Sequence, residues 1–138
     1  MPPPMKEIRI IYKLLLSKKV TKMQINNLTK NTAISRHVKA CDGLLSKFIG
    51  LMLSLKQKNS LIFKFNKEQI ISLHMIFVFY PIDVLFLNKN RIVVDKKESF
   101  RPFAFCKSRK KAMYAIELPN RVIKKTKTEI GDKIEFKQ

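Results

Sequence analysis

Leu73 to Asp95 reads LHMIFVFYPIDVLFLNKNRIVVD, and where this stretch breaks decides what can be built around it. Leu73 to Phe79 and Ile82 to Leu87 are short apolar runs rich in β-branched and aromatic side chains, separated at Pro81. The proline ring fixes one backbone angle and removes an amide donor, so the chain bends there. Apolar runs of this length, bounded by turn residues, read as strands covered on both faces. Asn88-Lys89-Asn90 follows and leads into Arg91-Ile92-Val93-Val94. That pattern predicts a hairpin with a three-residue loop and Asn90 in the left-handed conformation. The centre is a buried hairpin fed by a bent strand.

Working outward, Ser60 to Phe65 alternates Leu61, Phe63 and Phe65 against Ile62 and Lys64, a half-buried strand, and Asn66 to Gln69 is expected to turn into the central stretch. Ala33 to Ala40 alternates weakly through Ile34 and Val38 and reads as a further strand. Thr21 to Lys30 has loop or strand-edge chemistry in Asn26, Asn27 and Thr29. Asp42 suits the N-cap of a short helix through Phe48, with Gly50 ending it. Downstream, Phe100 to Phe105 is an aromatic-rich connection that Pro102 keeps out of the middle of a sheet. Ala112 to Leu118 alternates and stops at Pro119, while Val122 to Thr128 fits either a short helix or a turn. Gly131-Asp132 makes a tight turn before a last strand, Lys133 to Phe136. The expected class is α+β, predominantly β: a compact barrel-like or sandwich domain with one or two short helices.

The 138 residues suffice for one domain with a proper core. Residues 1–23 are expected to form an extension. It starts with the polyproline Met1 to Pro4, followed by a possible basic amphipathic helix over Met5 to Val20, with Ile8, Ile11, Tyr12 and Leu15 on one face. Such a stripe docks on its own domain or lies on a membrane surface. Met23 could serve as an alternative start. Residues 24–138 then form a single β-rich domain. Lys13 interrupts the apolar run and no small-residue cleavage site follows, which argues against secretion. No apolar run reaches the ~18–20 residues of a transmembrane helix. Cys41 and Cys106 lack any C-x-x-C spacing, so they signal neither zinc nor thioredoxin-like chemistry and fit a reduced, cytoplasmic protein.

The formal net charge is +19. Folding works against that self-repulsion, and any anionic surface attracts the chain. Only Arg9, Arg36, Arg91, Arg101, Arg109 and Arg121 are arginines; the other basic residues are lysines spread along the whole length. Dedicated phosphate or base readers favour the planar arginine fork, so this composition reads as a lysine-biased surface ahead of a selected nucleic-acid footprint. Lys107, Arg109, Lys110 and Lys111 are the densest cluster and the candidate anion-binding group, with Lys124, Lys125 and Lys127 beyond them.

Several chemistries are excluded by residue type. Phosphate loops need clustered glycines, and only Gly43, Gly50 and Gly131 are present. His37 and His74 sit in no H-E-x-x-H pattern, no G-x-S-x-G elbow occurs, and no metal or cofactor is indicated. What remains is His74, Asp83, Glu117 and Asp132, polar residues embedded in apolar sequence. Each either holds a turn or strand end through backbone amides, or contributes to a small polar site with Asp83 and His74 as acid–base or ligand-binding groups.

Gly50-Leu51-Met52, the His74-Met75 and Pro81-Ile82-Asp83-Val84-Leu85-Phe86-Leu87 of the central stretch, Ile116-Glu117-Leu118-Pro119 and Gly131-Asp132 come in the order and spacing of a known family. From about Gln24 to Phe136 the chain resembles the domain of unknown function 192, especially its archaeal members. The resemblance implies a compact, mostly β fold with short helices and no established activity. Two departures stand out: Ile49 and Ser54 replace basic residues around Gly50-Leu51-Met52, and Asn120-Arg121 replaces the small pair after Pro119. The function expected is that of a binding or accessory module. Nucleic-acid binding through the lysine-rich surface and a small enzyme or ligand site on His74 and Asp83 are the alternatives.

Overall fold

The structure is a computed structural model that describes residues 23–42, 60–74, 80–101 and 104–137, the side chains of 39–42, 74, 105 and 137 excepted. Its elements are β1 (Met23–Asn27), β2 (Thr32–Asp42), β3 (Ser60–Gln69), β4 (Ser72–His74), β5 (Ile82–Leu87), β6 (Val93–Phe100), β7 (Phe105–Lys107), β8 (Ala112–Pro119), α1 (Val122–Thr126) and β9 (Ile134–Lys137). Seven strands form one mixed sheet in the order β6-β5-β8-β3-β2-β1-β9, and β4 pairs with β7 in a second, two-stranded sheet. The β2–β3 pair is parallel and the other pairs of the large sheet are antiparallel. The domain is β-rich as expected, but the sheet does not close into a barrel. Its two edges touch through the Ile92–Lys133 bridge and the exchange of hydrogen bonds between Val93 and Gly131-Asp132.

β5 explains why the central stretch is apolar without interruption. All six of its residues are buried. Ile82, Val84 and Phe86 enter one core with Leu61, Phe63 and Phe100, while Leu85 and Leu87 enter the other with Ile62, Ile116 and Leu118. The sheet therefore carries a core on each face, and a strand in its middle has no polar side to show. The first core is closed by Ile71 and Leu73, around the β4–β7 pair, and the second by Ile25, Ile123 and Ile134.

Details differ from the sequence reading for local reasons. The β5–β6 loop is shifted by one residue: Arg91, with φ 61°, takes the left-handed conformation in place of Asn90. Asn88 opens the turn, its Oδ1 accepting the amides of Asn90 and Ile92. The guanidinium of Arg91 lies over the Phe136 ring at 4.5 Å from its centroid, and the Arg91 carbonyl accepts the Ile134 amide, which holds this residue in place. Asn66 to Gln69 continues β3 instead of turning, because Gln69 regains a partner in Ala112 after a register irregularity. Met23–Asn27 is a strand between β2 and β9, and β6 runs on to Phe100. Asp42 ends β2; the helices expected over Met5 to Val20 and beyond Asp42 to Phe48 lie outside the described residues.

Candidate functional site

Asp83 is completely buried and commits both carboxylate oxygens to main-chain amides. Oδ1 accepts the Ser99 amide at 2.9 Å and Oδ2 the Ile123 amide at 2.9 Å. Each donor has a reason to need it. The β5–β6 register shifts between Ile82 and Val84, so a bulge takes Ser99, at φ 49°, out of the ladder. The Ile123 amide belongs to the first turn of α1, where no intrahelical acceptor exists. Arg121, the local N-cap position, supplies no side-chain hydrogen bond. These amides lie 16 and 40 residues along the chain from Asp83.

Asp132 serves a second junction. Its Oδ2 accepts Asn27 Nδ2 at 2.8 Å and the Glu129 amide at 2.9 Å. Asn27 Nδ2 also reaches Thr128 Oγ1, and Asn27 Oδ1 accepts the Lys30 amide. Thr128 and Thr126 share a hydroxyl contact of 2.7 Å. One buried network thus ties the end of β1 to the chain between α1 and β9.

Glu117 lies on the other face. In an antiparallel pair, opposite residues share a face; Glu117 faces Leu61 and Val84, whereas Asp83 faces Leu118. Asp83 and Glu117 therefore do not converge. Glu117 is buried, and removal from water pushes its carboxyl up to about 7. No hydrogen bond to that carboxyl is found among the described residues. His74 pairs with Phe105 on the small sheet, and its side chain lies outside the described residues.

The basic cluster is built around an acid that the sequence reading passed over. Asp95 of β6 is 3% exposed. Its Oδ1 accepts Arg109 Nε at 3.0 Å, Arg109 Nη2 at 2.6 Å and the Lys96 amide, while Oδ2 accepts the Arg109 amide at 2.8 Å. Burial pushes this carboxyl up, but hydrogen bonds from the Arg109 guanidinium, from both amides and the guanidinium charge outweigh it and hold the group below the usual range. Arg109 is thus the clamp of the turn, and Lys110 and Lys111 stand exposed beside it, with Lys107 exposed at the end of β7. The only sequence signal for Asp95 was an acid closing the apolar Ile92-Val93-Val94 run. Cys106 is half-buried next to this turn; burial raises its thiol, opposed by Lys97 and Arg109. Among the described residues no group of three His, Cys, Asp or Glu could hold a metal ion, and no helix is long and apolar enough to cross a membrane.

This mixed-sheet fold has solved counterparts. A "putative transcription regulator" from Sinorhizobium meliloti superposes with a TM-score of 0.73 at 19% identity, over 83% of this chain and 91% of that one. A protein of unknown function from Novosphingobium aromaticivorans gives 0.71 at 16% identity, over 82% of each chain. These establish the fold. The chain belongs to the DUF192 family, described as Uncharacterized ACR, which matches residues 25–136. It is 38% identical to a UPF0127 protein of Thermococcus sibiricus over 112 residues, 80% of this chain and 72% of that one. It is 36% identical to a UPF0127 protein of Pyrococcus furiosus over 112 residues, 80% of this chain and 95% of that one. No reaction is assignable from the family or from the structural neighbours.

Proposed function

We propose that this domain is a binding or accessory module of the cytoplasm whose partner is anionic, nucleic acid before any other. One observation carries it: five described acids are engaged within the domain while eight lysines stand exposed. Asp83 and Asp132 serve main-chain amides and Asn27, Asp95 holds Arg109, Glu129 pairs with Lys30, and Glu98 lies 3.7 Å from Lys96. Lys64, Lys67, Lys97, Lys110, Lys111, Lys124, Lys125 and Lys127 are all exposed. A surface of that kind attracts polyanions by releasing their counterions. Fluorescence anisotropy of the full chain on labelled mixed-sequence duplex DNA, over a potassium chloride series, tests it. The logarithm of the affinity should fall linearly with the logarithm of salt, by about 0.9 for each phosphate neutralised. Absence of binding at low salt would overturn it.

The folded unit in this proposal is 24–138, with 1–23 an extension outside it. Deleting Met1 to Lys22 should leave a cooperative melting transition.

A second reading is favoured by Glu117, the buried carboxyl with no hydrogen bond among the described residues. A carboxyl poised near neutrality inside apolar surroundings is a ligand-binding or acid–base candidate. If that is its role, Glu117→Gln abolishes ligand binding while leaving duplex affinity intact.

A further inference from the structure

Three basic segments that are separate in sequence meet around one strand. Between Lys96 and Lys127 the chain carries eleven basic residues against two acidic ones, Glu98 and the buried Glu117. Two parts of the chain around this stretch, the Arg109 turn and the segment from Asn120 to Asp132, are held to β6, an edge of the large sheet. On one flank, Asp95 holds the Arg109 turn, bringing Lys110 and Lys111 against β6, and Lys97, opposite Val84, lies on the same side. On the other flank, the segment from Asn120 to Asp132 runs antiparallel to β6. Ser99 Oγ donates to Asn120 Oδ1 at 2.8 Å, Lys96 Nζ donates to the Thr128 carbonyl at 3.4 Å, and the Gly131 amide donates to the Val93 carbonyl at 2.8 Å. α1 is thereby carried alongside the strand with Lys124, Lys125 and Lys127 exposed.

Resting on the anionic-partner reading above, we propose that β6 and its two lysine flanks are the binding site, and that its ligand is the phosphate backbone of duplex nucleic acid. The shape selects among polyanions. β6 has eight residues, about 27 Å at roughly 3.4 Å per residue, and lysine-bearing segments are hydrogen-bonded to it on two sides. A nucleic-acid groove offers phosphate rows to both sides of such an element, the major groove being about 12 Å wide. A flat membrane meets one flank only, and surface binding to lipid ordinarily adds apolar anchors. Among the described residues the exposed large apolar ones are Leu28, Ile70 and Ile130, and a single one of them, Ile130, falls in a flanking segment. Flanks in which lysine outnumbers arginine suit backbone contact with little base readout.

The test compares two charge reversals of equal size in the full chain. One combines Lys97→Glu, Lys110→Glu, Lys124→Glu and Lys125→Glu, which takes charge from both flanks. The other combines Arg36→Glu, Lys64→Glu, Lys67→Glu and Lys89→Glu, all exposed and outside them. The same positions changed to glutamine give milder versions should either reversal impair folding. The flank set should lose most duplex affinity and flatten the salt slope by about 0.9 per contact removed, with the control set near wild type. Equal losses from both sets overturn the site while leaving the anionic-partner reading standing, whereas a wild type without salt-dependent binding sinks both. Competition completes the test: duplex DNA should displace the label far better than phosphatidylserine–phosphatidylcholine vesicles or polyglutamate. A stronger competitor among those two would overturn the assignment to nucleic acid.

Discussion

Asp83 of β5 caps α1 from forty residues away, its Oδ2 accepting the Ile123 amide at 2.9 Å where the local cap residue Arg121 makes no such bond. Its other oxygen holds the Ser99 amide freed by the β6 bulge. A single side chain thus fixes both the bend of the edge strand and the start of the helix that runs beside it. Asp83→Ala strands both amides. At about 1–3 kcal/mol for each buried donor left unmade, a loss of about 2–6 kcal/mol is expected in denaturant unfolding. Asp83→Asn keeps one acceptor and should cost less. Wild-type stability in Asp83→Ala would show that the two amides find other partners and that the carboxylate is not architectural.

Arg109 and Asp95 form the second joint. Arg109→Ala leaves Asp95 buried with two amides but no guanidinium, and lower stability is expected in denaturant unfolding. Arg109→Lys should rescue little, since an ammonium cannot reproduce the paired Nε and Nη2 contacts. The pH signature follows from the depressed Asp95 carboxyl. Stability from this pair is present above the ordinary carboxylate value of 3.8 and is lost as pH falls through the lower folded value. Acid unfolding monitored by circular dichroism should therefore begin at higher pH in Arg109→Ala than in wild type.

Glu117 acts in the opposite sense and in another window. Its carboxyl is raised from 4.5 to about 7 by burial, so the folded state favours the protonated form. The stability it permits is full below 4.5 and is lost as pH rises towards and through 7. At about 1.4 kcal/mol per unit of displacement, the change is on the order of 3 kcal/mol. The melting temperature of wild type should drop between pH 5 and pH 8, and Glu117→Gln should flatten that fall. A mutant with the same pH profile as wild type would place the titration elsewhere.

Gly131 isolates a backbone effect. Its φ is +98°, and a Cβ added there would meet no atom within 4 Å. Gly131→Ala therefore costs conformational strain without a clash, about 1–2 kcal/mol. A neutral substitution would mean that the turn relaxes to another conformation.

What the sequence disclosed, and what it hid, follows from the range of the interactions. The six-residue apolar run of β5 carried its own burial, because a core covers each face of the sheet at that strand. The hairpin was legible for the same reason, though its left-handed residue moved to Arg91, where Phe136 and Ile134 hold it from a distant strand. β7 was hidden because its three residues are a strand only by pairing with β4. The candidate carboxylates were visible as polar residues in apolar sequence, but their partners were not. Asp83 and Ile123, Asn27 and Asp132, and Asp95 and Arg109 are joined by topology, at separations of 40, 105 and 14 residues. Asp95 itself gave little signal, since a lone acid at the end of a strand usually faces water. The lysine flanks of β6 were legible as two clusters and became one surface only through the fold.

Buried carboxyls hold the scaffold of this domain, and the lysines around β6 hold its proposed partner; the two sets of charges do separate work. The most direct measurement of that division is duplex affinity across the salt series for wild type, Asp83→Asn, Glu117→Gln and the four-lysine flank variant, each checked for a cooperative melt. The two carboxyl variants should retain the wild-type slope and the flank variant should lose most of it. Unchanged binding in the flank variant, or loss of binding in folded Glu117→Gln, would contradict that division.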